Sequence, residues 1–147
     1  MLKALGISVL LLAGSAGSAA ADNMCGDDPI APAIASPAEE QAKTPADAAA
    51  AKHGAFQDIR HWQGALKSYR DCLTASIDTD NRQIGESQRS DKPDADKIKK
   101  LQAEITNLNK AYGISTDEEE RVVNEFNALS VAYCTRTDVD KASCPKR

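Results

Sequence analysis

The sequence lacks most of the short patterns that carry chemistry. It has no CxxC pair, no GxSxG turn and no glycine-rich phosphate loop, which removes dithiol redox enzymes, nucleophile-elbow hydrolases and P-loop proteins from consideration. Its two histidines, His53 and His61, stand eight residues apart rather than at the i, i+4 spacing of helical ligand pairs, so with CxxC also missing there is no zinc signature. No basic stripe is present and the net charge is −4, which argues against nucleic acid or anionic lipid as the main partner. Beyond Ala21 no segment approaches the roughly 20 consecutive apolar residues that a membrane-spanning helix needs. Asp and Glu are abundant, but no pair of them stands out as acid and base. The expectation is therefore a chain without catalytic residues, cofactor or metal.

What is present begins with an export signal. Met1-Leu2-Lys3 precedes an apolar run from Ala4 to Ala13, and small residues then lead to Ala19-Ala20-Ala21. A positive start, a short apolar middle and a small-residue cleavage site make residues 1–21 a signal peptide. A lipid-modified Cys25 is disfavoured, because the residues before it, Asp22-Asn23-Met24, are polar. Cleavage after Ala21 leaves 126 residues, enough for one domain, and loss of Lys3 makes the net charge −5. Cys25, Cys72, Cys134 and Cys144 all lie in this mature part. An even number in an exported chain reads as two disulfides in an oxidising compartment, periplasmic or secreted, and four cysteines permit three pairings.

The periodicity predicts an all-α fold. Residues 22–43 form a Pro/Ala-rich arm without an apolar period, expected to be extended, with one helical turn signalled by the capping-box pattern Ser36-Pro37-Ala38-Glu39. Thr44-Pro45-Ala46-Asp47 repeats that signal, and apolar residues then recur in steps of three and four at Phe56, Ile59, Trp62, Leu66, Tyr69, Leu73 and Ile77, with Ile84 beyond. Gly85, Ser90, Asp91 and Pro93 break the series. A second series runs through Ile98, Leu101, Ile105, Leu108, Tyr112, Val122, Phe126, Leu129 and Tyr133. Gly113 and the cap-like Ser115-Thr116-Asp117-Glu118 support a rival in which this helix stops and restarts. The count passes through Ser115 and Glu119 and reaches Val122 in phase, which favours one continuous helix.

Two antiparallel helices turning about Ser90 and Asp91 should pair residues whose numbers add to about 181. Ile84 then faces Ile98, Ile77 faces Ile105, Leu73 faces Leu108, Tyr69 faces Tyr112, Ile59 faces Val122 and Phe56 faces Phe126. The prediction is thus a long antiparallel two-helix hairpin, about 44–86 and 93–135, with the arm packed along it and a tail at 136–147. A coiled-coil-like seam of this width needs a third element or a second copy, since aromatics make up only 4% of the chain. Extended as polyproline, the arm could span roughly 59 Å, whereas Cys25 needs roughly 42 Å of helix rise to come level with Cys72. The reach favours Cys25 with Cys72, and Cys134 with Cys144 as a clamp on the tail. In a continuous hairpin Cys72 and Cys134 are too far apart to bridge.

An early cysteine, a Pro/Ala-rich arm, a helix carrying Tyr69-Arg70-Asp71-Cys72-Leu73, and a later Ala111-Tyr112 through Asp117-Glu118-Glu119 to Phe126-Asn127 together resemble a group of small exported helical proteins of proteobacteria. The resemblance covers most of the mature chain through short motifs. It implies compartment and fold and brings no activity with it. Cys134 and Cys144 fall outside the shared pattern.

Few residues qualify as a site. Asp78-Thr79-Asp80-Asn81 resembles the start of a calcium loop, but Gln83 and Arg89 occupy the positions where an EF-hand requires glycine and glutamate. A solvated acidic helical stretch is the better account. His53, His61 and the run Asp117-Glu118-Glu119-Glu120 read as surface, except that the register puts Glu119 on the inner seam opposite Trp62, the neighbour of His61 in sequence. His61, Trp62 and Glu119 are therefore the candidate binding residues. The leading expectation is a non-enzymatic structural or protein-interaction role, with an envelope protein or a second copy as partner. The alternative is a small-molecule or metal-ion binding module.

Overall fold

A computed structural model describes residues 24–145. The expected signal peptide and its cleavage site lie outside the described residues. Three helices follow in order: α1 (Pro37–Ala42), α2 (Pro45–Arg89) and α3 (Ala95–Thr135).

Local chemistry sets their ends. The Ser36 side chain accepts a hydrogen bond from the Glu39 backbone N–H, and the Ser36 N–H donates back to the Glu39 carboxylate at 2.7 Å, completing the capping box that starts α1. Thr44 stops α1, because a residue preceding proline is driven to extended backbone. It also starts α2, its hydroxyl oxygen accepting the Asp47 N–H. Arg89 ends α2, and Asp94 caps α3 by accepting the Lys97 N–H at 2.9 Å. The boundaries shift slightly from expectation: α2 runs on to Arg89 and α3 starts at Ala95. The arm is also less extended than expected, since its capping box sustains the six residues of α1.

α3 runs unbroken past Gly113. Residues that could cap a new helix instead bond backwards: the Ser115 and Thr116 hydroxyls both donate to the Tyr112 carbonyl, at 2.7 and 3.1 Å. At 1.5 Å per residue, α2 and α3 are roughly 67 and 61 Å long. They pack together in the expected antiparallel register. Phe56 meets Phe126 with ring centroids 6.1 Å apart, and the Gln63 amide donates to Glu119 at 2.8 Å. Ile59, Trp62, Leu66, Tyr69 and Leu73 fill the seam from α2. From α3 the buried positions recur every seven residues at Leu101, Leu108, Ser115, Val122 and Leu129. Each fully buried leucine contributes about 2 kcal/mol of apolar transfer.

The arm is the third layer. Cys25 is bonded to Cys72, the Trp62 indole N–H donates to the Pro29 carbonyl at 2.9 Å, and Ala31 and Ile34 pack on the seam core. Farther along, α1 packs on α3. There the Arg136 guanidinium donates to the Glu40 and Lys43 carbonyls at 2.8 and 3.0 Å, adding a second donor to the Glu40 carbonyl, which also accepts the Lys43 N–H at the end of α1. Cys134 is bonded to Cys144, and the Tyr133 hydroxyl donates to the Asp140 carbonyl at 2.9 Å, which folds the tail back. Both disulfides match the pairing inferred from reach. No helix among the described residues is long and apolar enough to cross a membrane.

Candidate functional site

The three candidate binding residues do not converge. Trp62 is 4% exposed and spends its one donor on the arm, so it is a fastener between layers. His61, its neighbour in sequence, is exposed. Glu119 faces the seam as the register requires, where the Gln63 amide and the Arg70 guanidinium both donate to it.

Arg70 gives the middle of the seam its polar character. Its Nε–H donates to the Ser115 hydroxyl at 2.9 Å, Nη2 donates to the Ser115 carbonyl and Nη1 to Glu119, and the guanidinium lies 5.8 Å from the Tyr112 ring centre. Ser115 makes this possible, because a small hydroxyl in the seven-residue series leaves room where its neighbours are leucine and valine. Arg70 holds the Glu119 carboxyl below the usual carboxylate range, against the opposing effect of burial. Nothing in the periodicity singles out Arg70, which follows Tyr69 off the apolar stripe.

Beside this network a cleft of about 830 Å³ opens between the arm, α2 and α3. That is within the size range of small-molecule sites. Its apolar wall includes Tyr69, Leu101, Leu108 and Ile114, and its acidic members are Asp27, Asp28, Asp80 and Glu104. Asp80 corrects the expectation of a solvated stretch at 78–81: it is 7% exposed, and its Oδ2 has no hydrogen-bond partner. Oδ1 of Asp28 is likewise buried without a partner. Burial pushes the Asp28 carboxyl above its ordinary value, the neighbouring Glu118 adds to the shift, and Arg70 opposes it. Asp80 does carry a sequence signal, because counting from Ile77 to Ile84 in steps of three and four passes through it.

A second cavity, about 620 Å³, lies where the tail crosses α2 and α3. Phe56, Phe126 and Tyr133 line it together with Lys52 and His53. Lys52 is committed there, lying 4.7 Å from the Tyr133 ring centre and donating to the Ser143 carbonyl at 3.0 Å. Desolvation lowers its ammonium pKa, and Glu40 works in the other direction. Among the described residues no group of three or more His, Cys, Asp or Glu side chains is arranged to hold a metal ion. No family model, curated protein or solved structure matches the chain significantly.

Proposed function

We propose that this chain is exported to the periplasm and acts there as a non-enzymatic structural or protein-interaction component, an elongated hairpin that presents a helical face to an envelope protein or to a second copy. The supporting observation is the distribution of its few large apolar side chains. The seam, of the coiled-coil type, uses only part of them, while Phe56, Tyr112, Ile114 and Val131 stay 41 to 63% exposed on a rod roughly 60 Å long. Two disulfides tie the arm and the tail to this rod and suit an oxidising compartment. Sedimentation velocity combined with crosslinking in the intact envelope tests the reading. A frictional ratio of an elongated particle and a discrete crosslinked species are expected; a compact monomer that crosslinks to nothing refutes it. Osmotic-shock release of a chain beginning at Asp22 is the matching test of compartment.

One observation favours a second reading, a small-molecule binding module: two buried carboxylate oxygens without partners, Asp28 Oδ1 and Asp80 Oδ2, belong to residues lining one cleft.

A further inference from the structure

An unpaired buried carboxylate oxygen is costly. Desolvation without a compensating donor is strongly unfavourable for a charged group, and native folds rarely leave such groups unmatched. Three buried side-chain oxygens lack a partner among the described residues, and two of the three belong to residues of the same cleft. They come from different elements, Asp28 from the arm and Asp80 from α2, so a local feature of one helix does not account for both. The third, on Glu40, lies at the other end of the molecule, where Lys43 bonds the companion oxygen.

The surroundings narrow what would satisfy them. Lys110 is the one basic residue among those lining the cleft, and it is exposed. No third carboxylate, His or Cys joins either aspartate to make a metal cage. Tyr69, Leu101 and Leu108 offer apolar wall between the two aspartates, which suits methylene groups, and Ser76 and Thr79 add hydroxyls. The Cys25–Cys72 bridge and the bond from Trp62 to the Pro29 carbonyl hold Asp28 beside residues 62–72 of α2, well before Asp80 on that helix, so the two acids are offset by roughly 12 to 27 Å along the hairpin. The acidic chain as a whole draws cations toward this surface.

We propose that the cleft binds an organic polycation, a linear alkyl polyamine whose ammonium groups sit at Asp80 and near Asp28 while its methylenes lie along the apolar wall. This rests on the small-molecule reading above. An ammonium donates up to three hydrogen bonds from a compact charge, which a carboxylate with no donor of its own accepts at full strength. A ligand with two separated ammoniums engages both acids; a short diamine reaches one.

Titration calorimetry of the disulfide-intact chain at neutral pH and physiological salt, with spermine, putrescine, calcium chloride and hexanol as separate titrants, tests the proposal. Spermine is expected to bind, and putrescine to bind about tenfold or more weakly, the worth of one charge-assisted contact. Asp80→Asn should weaken spermine by a similar factor, and Asp80→Leu should abolish binding while melting no lower than the parent. Asp78→Asn, at an exposed position on the same helix, should leave affinity unchanged. Equal losses in the Asp78 and Asp80 variants would reduce the effect to general surface charge and overturn the proposal. Heat from calcium or hexanol with none from spermine would overturn the polyamine assignment and leave the small-molecule reading standing. Silence from all four titrants would remove both.

Discussion

Replacing Cys25 and Cys72 by serine opens a loop whose ends are 47 residues apart in sequence. In the chain-entropy treatment, closing such a loop restricts the unfolded ensemble by about 4 kcal/mol, whereas the ten-residue separation of Cys134 and Cys144 gives about 3 kcal/mol. The first value understates the effect on the arm. Ala31, Ile34 and the Pro29 carbonyl meet the hairpin only when the arm lies along it, and without the bridge the arm alone bears the entropy of docking. Trp62 is the single tryptophan, it is buried, and it bonds the arm directly, so its fluorescence reports both unfolding and arm release. With a urea slope near 2 kcal/mol per molar, the double variant should unfold about 2 M earlier than the parent. The Cys134→Ser, Cys144→Ser variant should shift by less. An unchanged midpoint, or a larger fall in the tail variant, would refute the reasoning that the long bridge holds the third layer in place. Peptide mapping under non-reducing conditions checks the pairing itself.

Arg70→Met should cost about 2 to 3 kcal/mol in urea unfolding, because it removes the charged donor from Glu119, which keeps only the Gln63 amide, and the side-chain donors from Ser115; a change under 0.5 kcal/mol would show the network to be decorative. The same pair predicts a pH dependence. The Glu119 pKa is lowered in the fold, so its stabilising effect is complete above the unfolded value near 4.5 and is lost as the pH falls through the lower folded value. Urea midpoints measured from pH 7 down to pH 3 should therefore drop on the acid side of 4.5, and less steeply in Arg70→Met. Leu73 is 0% exposed at the heart of the seam, and Leu73→Ala should lower stability by about 2 to 5 kcal/mol, read as a fall in the melting temperature.

Helix positions, continuity and register were legible because each is written in a local or periodic code. Ser36 and Thr44 are side chains that cap, Pro93 and Ser90 interrupt, and the three-four count holds its phase across Gly113. The contact of Phe56 with Phe126 follows from that phase and from the position of the turn. Glu119 was placed on the seam by the same count, but its partner Arg70 was not, because a long side chain off the stripe can turn inward or outward with no trace in the period. The separation of His61 from Trp62 has the opposite origin: adjacent helical residues point about 100° apart, so one is buried and the next exposed.

By itself the sequence determined two long helices, their antiparallel pairing and the reach that joins Cys25 to Cys72, because caps, turns and apolar spacing act between residues that are close along the chain or at a constant period. Only the tertiary structure decided that Trp62 fastens the arm through Pro29, that Arg70 crosses the seam over Ser115, and that Asp80 is buried beside a cleft shared with Asp28. Each of those depends on side chains of segments distant in sequence meeting in space, and the arm carries no period from which its seat on the hairpin could be counted.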